Sequence, residues 1–596
     1  MAEAKAGEKQ TVAQFVVARL REWGVRRIYG YPGDGINGVL GALRETEGAV
    51  QFVQVAHEEV AALAATGHAK YTGELGVCLS TAGPGAVHLL NGLYDARLDH
   101  QPVLAIVGQQ DAAAMGSAFQ QEIDPVSLFK DVAGAYVQQV ASPDQVRHVV
   151  DQAIRTALAR RAPTCFILPH DVQGQEAVPE PAHEHGRMHS SVGFAAPRMV
   201  PHDGELDAAA QVLNAGKKVA VLVGAGALGA GGVVAEVAER LGAGVAKALL
   251  GKAALADDLP FVTGTVGWLG TGASNRMMQE CDTLLMVGTG VPYTEFLPEP
   301  GKARAVQVDT DPSRIGLRYP VQVPLAGDAG ETLRALLPRL KANGDGAWRE
   351  RIATLKAEWE EQARGMVEAE APPLNPQLVV ARLSPLLPDG CILAGDCGSS
   401  TVWYARHLQI REGMMASLSG TLATMGSAVP YALAAKMAHP DRPVVALLGD
   451  GAMQMLGNSA LVTVARRWRE WKDPRLVVVV LNNRDLNYVT WEQRVMEGEP
   501  EFTESQALMD FPHAAYAELL GLRGIRVDSP EKLDDALKRA MESDRPVLLE
   551  AVVSADMPSL PPRMKPEQKA MLEQALNAGD PDAAGVRDQL ERQGYE

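Results

Sequence analysis

The chain of 596 residues is predicted to be an α/β protein of three domains, each with a central, mostly parallel sheet flanked by helices, followed by a C-terminal tail. Three observations predict this. Short runs at 103–107, 219–223, 283–287, 444–448 and 476–481 are apolar at every position rather than at every second one. Strands covered by helices on both faces read this way, whereas strands with one wet face alternate. Helical stretches separate the runs, so the order is a repeated βαβ and the sheets are parallel. The length suits about three or four domains at roughly 150 residues each.

Breaks in the pattern place the boundaries. Residues 178–202 are rich in Pro, His, Gly and Ser and lack periodicity. Residues 341–376 start polar, pass through a charged helix-like segment and end in Pro372-Pro373. Four prolines between 558 and 566 precede a polar tail. The expected domains are therefore 1–185, 190–340 and 375–560, with 561–596 as the tail.

Composition excludes several classes. The formal net charge is −17 and no basic run breaks it, which argues against nucleic acid or an anionic membrane as partner. The five cysteines, Cys78, Cys165, Cys281, Cys391 and Cys397, are scattered and lack CxxC spacing, so neither a disulfide framework nor a zinc site is expected. No run approaches the roughly 20 apolar residues of a membrane span, and the charged N-terminus has no apolar stretch behind it. The cytoplasm is the expected compartment.

The clearest chemistry lies in the third domain. The apolar run at 444–448 ends in Gly449-Asp450-Gly451. In an open parallel sheet, ligands bind where strands end. The glycines let backbone approach a phosphate, and Asp450 offers a hard oxygen to a cation such as Mg²⁺, which takes one or two protein oxygens beside substrate phosphates. The next strand ends in Asn482-Asn483, whose amide carbonyl can supply another oxygen ligand, and the backbone carbonyl of Asp485 could complete the set. Each motif alone is also a common turn. Together, on successive strands of one βαβ unit, they point to a diphosphate and its metal.

This pair resembles the diphosphate signature of the thiamine-diphosphate enzymes. The resemblance covers nearly the whole chain and is closest to the pyruvate oxidase and pyruvate:quinone dehydrogenase branch, with acetolactate synthase next. It implies cofactor contacts at Asp396, Gly398 and Ser399, at Gly449, Asp450, Gly451 and Ala452, and at Asn483, with Asp450, Asn483 and Asp485 holding the metal. Met425, in Thr424-Met425-Gly426, resembles the bulky apolar wedge that bends the cofactor. Tyr488 and Glu492 fall where the pocket's aromatic and its acid are expected. One departure stands out: Asp450 and Asn483 are 33 positions apart, a few more than usual. The surplus lies at 466–475 and reads as a lengthened helix end or a surface loop.

Thiamine chemistry needs one placed carboxylate that drives the cofactor's own aminopyrimidine to act as a base. Strand-like residues 50–55 run into His57-Glu58-Glu59 and an Ala-rich helix. Read alone, these acids only suit a helix N-terminus. The segment resembles the family's catalytic-glutamate region, and the distance to Gly67 selects Glu58. By the same resemblance Gly33 and Gly35 lie near the cofactor, and His88 is a substrate-pocket histidine. Gln121 belongs to the family's Phe-Gln-Glu, shifted so that Gln120 replaces the aromatic and makes the pocket more polar. In the family, Glu58 and Asp450 serve one cofactor from two subunits, so a homodimer or homotetramer is implied.

The middle domain resembles the family's FAD-binding domain. Gly224 and Gly226 follow a strand and precede a helix, as a phosphate-approaching loop does. Gly288 and the acids Asp309 and Asp311 sit at later strand ends, the acids as candidate ribose contacts. Non-redox relatives keep such a domain as structure. In the tail, Val586 and Leu590 are the main large apolar residues before Tyr595, and 582–596 carries four acids against two arginines. Membrane binding is not expected there; a solvated tail or a lid is.

The expected activity is oxidative decarboxylation of pyruvate with thiamine diphosphate, Mg²⁺ and FAD. The acceptor stays open between quinone and oxygen, and the product between acetate and acetyl phosphate. The rivals are a non-redox 2-keto acid decarboxylase or carboligase resembling acetolactate synthase, and a non-catalytic nucleotide-binding relative.

Overall fold

The computed structural model describes residues 9–343 and 346–594. Among the described residues there are three six-stranded sheets, and all their strand pairs are parallel, as continuous apolar strands require. The first sheet contains β1 (Arg27–Gly30), β2 (Gln51–Gln54), β3 (Gly76–Ser80), β4 (Val103–Gln109), β5 (Val137–Gln139) and β6 (Pro163–Pro169). Its order is β2-β1-β3-β4-β6-β5. The second contains β7 (Val219–Val223), β8 (Gly244–Lys247), β9 (Val262–Thr265), β10 (Thr283–Val287), β11 (Arg304–Asp309) and β12 (Val323–Ala326), in the order β12-β11-β10-β7-β8-β9. The third contains β13 (Ile392–Gly395), β14 (Met415–Ser417), β15 (Val444–Gly449), β16 (Leu476–Asn482), β17 (Arg523–Val527) and β18 (Val547–Val552). Its order, β14-β13-β15-β16-β18-β17, repeats that of the first sheet.

Each order contains one reversal, where the chain returns to the far side of its first strand. The reversal lies between β1 and β3, between β7 and β10, and between β13 and β15. Loops diverge there and leave a crevice at the carboxyl ends of the strands, the place where such sheets bind ligands.

The chain divides into two compact units. One comprises residues 1–196, 419–441 and 455–473, and the other the remaining segments. In the first, the helix Glu58–Thr72 starts at His57, whose ring accepts the Glu59 N–H, and ends on Gly73 in the left-handed region. It packs closely on the helix Ala428–Ala438 at Gly67, where a Cβ would come within 3.0 Å of the Tyr431 backbone.

In the second unit, the charged segment expected between domains is the helix Ala347–Glu368, and it is not a linker. Trp348, Ile352, Leu355 and Trp359 form one stripe along it. They join Met277, Leu284 and Met286 in a core on one face of the second sheet. Many charges on its wet face hide this stripe in a composition count.

The expectation of a solvated tail is also overturned. The helices Pro566–Asn577 and Ala583–Arg592 bury Leu572, Leu576, Val586 and Leu590 against Trp491 and Val495. A buried pair reinforces the contact: Arg494 Nε and Nη2 lie 2.8 and 2.9 Å from the Asp580 carboxylate. The tail thus packs on the helix Asn487–Glu492. Tyr595 lies outside the described residues. No helix among the described residues is long and apolar enough to cross a membrane.

Leu355 is fully buried in the stripe. Leu355→Ala is expected to destabilise the protein by about 2–5 kcal/mol through lost burial and the cavity left behind. A large drop in melting temperature, against little change for the exposed Glu361→Ala, checks that the helix is part of the core.

Candidate functional site

Three groups of candidate residues form, one in the first unit and two in the second. In the first unit they gather at the reversal between β1 and β3. The loop after β1 carries Gly33 and Gly35, and the loop after β3 begins at Thr81. The Gly35 N–H donates to Thr81 Oγ1 at 3.1 Å. A Cβ on Gly33 would lie 2.5 Å from that of Thr81, so the loops approach because Gly33 has no side chain. Glu58, in the first turn of its helix, is only 8 % exposed. Its Oε2 lies 3.0 Å from His88 Nδ1. Its Oε1 lies 3.0 Å from where a Cβ on Gly85 would stand, so Gly85 clears the space beside the carboxylate. His57 and His88 stack with ring centroids 4.5 Å apart. The three ligand-type atoms of His57, Glu58 and His88 lie within 4.8 Å of one another.

Gln121 adopts a positive φ of 62° and packs on Gly83. Gln120, the residue expected to make the pocket more polar, is exposed, as is Phe119. Met425 is half-buried in the same unit. Its neighbour Thr424 accepts from Asn91 Nδ2 at 2.8 Å, and the same amide donates to Glu59 at 2.6 Å. Asn91 therefore ties the Met425 segment to the helix that carries Glu58, a role no sequence motif signals.

In the second unit, the reversal between β13 and β15 brings together the loops with Asp396, Gly398 and Ser399 and with Gly449, Asp450, Gly451 and Ala452. Asn483 and Asp485 follow the adjacent β16. Gly398 has φ 106°, which only glycine adopts without strain, and opens the helix Ser399–His407. A Cβ on Gly398 or Gly449 would meet nothing within 4 Å, so both face open space. Backbone at helix N-termini beside open space suits a diphosphate. Ser399 Oγ donates to Asn487 Oδ1 at 2.9 Å, linking the first loop to the helix that bears Tyr488 and Glu492. Asn487 is a further site residue that the sequence reading missed; its position two places after Asp485 was the only signal.

Asp450 is 2 % exposed. Its Oδ2 accepts the Arg484 N–H at 2.6 Å and its Oδ1 the Gly451 N–H at 2.9 Å. Burial pushes its pKa up to about 7, against the pull of those N–H donors. Burial also raises the pKa of Asp485, whose oxygens accept from Asn487 Nδ2 at 3.0 Å and Thr490 Oγ1 at 2.9 Å. That engagement leaves the Asp485 backbone carbonyl, rather than its carboxylate, as the more available ligand. Neither acid has a salt-bridge partner among the described residues. An all-oxygen set with a buried carboxylate lacking a counter-charge fits a hard divalent cation. Tyr488 and Glu492 are each raised by burial, and Tyr488 also feels Glu492, Tyr293 and Cys397.

Gly224, Gly226 and Gly288 meet at the reversal of the second sheet. The Gly226 N–H donates to Gly288 O at 3.0 Å, and a Cβ on Gly226 would stand 2.7 Å from Gly288 Cα. These glycines are thus required by each other's backbone, whatever else they hold. Asp309 ends the neighbouring β11 and accepts the Asp311 N–H, while Asp311 caps the turn Pro312–Arg314.

Three family models match the chain: the N-terminal thiamine pyrophosphate binding domain over residues 10–128, the central domain over 206–336 and the C-terminal thiamine pyrophosphate binding domain over 396–551. The chain belongs to the thiamine pyrophosphate enzyme family. It is a thiamine-diphosphate-dependent enzyme. Among its relatives is YdaP of Bacillus subtilis, described as thiamine pyrophosphate-containing, 36% identical over 92% of each chain. Another is the acetolactate synthase isozyme 2 large subunit of Escherichia coli, 33% identical over 90% of this chain and 94% of that one. A third is pyruvate oxidase of Lactiplantibacillus plantarum, 29% identical over 94% of this chain and 91% of that one. The thiamine pyrophosphate models span both crevices at which Glu58 and Asp450 lie.

The raised Asp450 pKa gives a signed pH effect. The unfolded value is near 3.8 and the folded, cation-free value about 7. Between them the folded state keeps a proton that the unfolded chain has released, so this group lowers stability as pH rises through that window. The metal-free protein is expected to lose melting temperature across it. Asp450→Asn should flatten the slope, and a slope unchanged in that variant would refute the assignment.

Proposed function

We propose that the protein catalyses the oxidative decarboxylation of pyruvate with thiamine diphosphate, Mg²⁺ and FAD. The observation that carries the reading is Glu58, a buried carboxylate beside His88 at the mouth of the first sheet's crevice. When bound, thiamine diphosphate supplies the nucleophilic carbon and electron sink for loss of CO₂, and FAD accepts the two electrons that remain.

The chain's own residues do the rest. Glu58 would bind the cofactor's pyrimidine nitrogen and hold a proton there; its near-complete burial keeps water from competing for that hydrogen bond. His88, on the same carboxylate, Gln121 and Glu492 would orient the keto acid. Asp450, Asn483 and the carbonyl of Asp485 would hold Mg²⁺. Asp396, Gly398, Ser399, Gly449, Gly451, Ala452 and Tyr488 would line the cofactor, with Gly33, Gly35 and Met425 shaping the ring end. Gly224, Gly226, Gly288, Asp309 and Asp311 would meet FAD at the second sheet's reversal. The resemblance supports a homodimer or homotetramer in which Glu58 and Asp450 of different subunits share a cofactor. Five free cysteines, four of them buried, support the cytoplasm as its compartment. The domain limits at 1–185, 190–340 and 375–560 belong to the same reading.

A second reading keeps the cofactor and drops the redox step, as in acetolactate synthase. The mutual packing of Gly224, Gly226 and Gly288 favours it, because that packing accounts for the glycines without a flavin.

Anaerobic mixing of the purified yellow holoenzyme with pyruvate separates the two. Bleaching of the flavin band is expected; acetolactate or acetoin formed without bleaching would establish the carboligase. Glu58→Gln is expected to lower kcat by roughly 10²- to 10⁴-fold while the protein still binds Mg²⁺ and diphosphate. Full turnover in that variant would exclude the role given to Glu58.

A further inference from the structure

The residues that lengthen the interval between Asp450 and Asn483 do not form a free surface loop. The helix Asn458–Arg467 continues into a turn at Trp468–Glu470, and both dock on β2, the edge strand of the first sheet. Arg467 Nη2 donates to the Phe52 carbonyl at 2.6 Å and Nη1 to Glu470 at 2.8 Å. Gln51 Nε2 donates to the other Glu470 oxygen at 3.0 Å. Arg466 donates to Gln54 Oε1. The edge of β2, whose carbonyls would otherwise face solvent, is capped in this way.

A cavity of about 220 Å³ lies at this junction, lined by Tyr31, Gln54, Ala56, Val462, Thr463 and Arg466 among others. At ~30 Å³ per water it has room for a small ion and a few waters. Its chemistry is uneven. Arg466 has no carboxylate partner among the described residues; the Gln54 amide is its one hydrogen-bond partner. The phenol of Tyr31 is likewise without a hydrogen-bond partner there. The remaining walls are Val55, Ala56, Val462 and Thr463, all small and apolar but for the Thr463 hydroxyl. Residues 466–473 carry four cations, Arg466, Arg467, Arg469 and Lys472, against two acids, Glu470 and Asp473, in a chain whose net charge is −17. Arg467 is paired with Glu470, so Arg466 is the cation of this segment that lines the pocket.

We propose that this pocket binds a compact oxyanion, inorganic phosphate or the carboxylate of a small acid, through Arg466 with Gln54 and Tyr31. A guanidinium presents paired N–H donors that match either ion. The pocket is lined by Ala56, which stands two residues before Glu58 in the chain.

The test is isothermal titration of the thiamine-diphosphate- and Mg²⁺-loaded holoenzyme, in which the diphosphate site is filled, with inorganic phosphate and separately with acetate. Saturable binding of at least one is expected. Phosphate alone assigns a phosphate site, acetate alone a carboxylate site, and both a shared oxyanion site. Arg466→Met should weaken that binding about tenfold or more, as loss of a charge-assisted hydrogen bond does, and Gln54→Leu by a smaller factor. Melting curves of both variants check that they fold. No saturable binding at about 10 mM of either ion, weaker than nearly all specific anion sites, would overturn the proposal. So would wild-type affinity in a folded Arg466→Met protein.

Discussion

Asp450 is almost completely withdrawn from water, and backbone N–H groups rather than a cation meet its charge among the described residues. Removing a carboxylate from water is costly unless a cation, donors or a proton compensates. Here the N–H donors lower the cost without cancelling it, and the pKa stays up at about 7. Much of the surrounding architecture keeps the group in that condition. Gly449 and Gly451 bring the backbone round it, Arg484 turns to a positive φ of 60° to aim its N–H, and Asp485 is tied back by Asn487 and Thr490. A site poised in this way gains most when a divalent ion arrives, since the ion supplies the missing charge.

Glu58 follows the same logic with a different partner. It too is buried at the carboxyl end of a parallel sheet, and His88 is its near neighbour. The first and third sheets have one strand order, so both acids stand beside the same kind of reversal. That common order puts a carboxylate at each of two equivalent crevices. The second sheet has a different order, and its reversal is filled by glycines packed on one another. Its crevice is built from backbone approach rather than from buried charge.

Two segments that look peripheral in the sequence support these crevices. The C-terminal helices press Leu572, Leu576, Val586 and Leu590 on the helix carrying Tyr488 and Glu492, with Arg494 and Asp580 paired beneath. Residues 466–473 grip the edge of β2, which leads directly into His57 and Glu58. In both cases polar residues dominate the composition while a few spaced side chains make the contact. Averages over a window miss such segments; burial reveals them.

The class of fold was legible in the sequence, and so were the candidate anchors of the third domain. Continuous apolar runs make parallel, doubly covered strands because nothing on them tolerates water, and Gly449-Asp450-Gly451 and Asn483 are local in the chain, so their spacing carries the signal. Glu58 was legible only through resemblance, since an acid at a helix start has an ordinary reason to be there. Tertiary structure alone decided what depends on distant partners: Asn91 bridging Glu59 to Thr424, Asn487 meeting Ser399, the helix Ala347–Glu368 entering the second sheet's core, and the tail burying Val586. None of these contacts has a local pattern, because each is made by residues far apart in the chain whose side chains are ordinary until the fold brings them together.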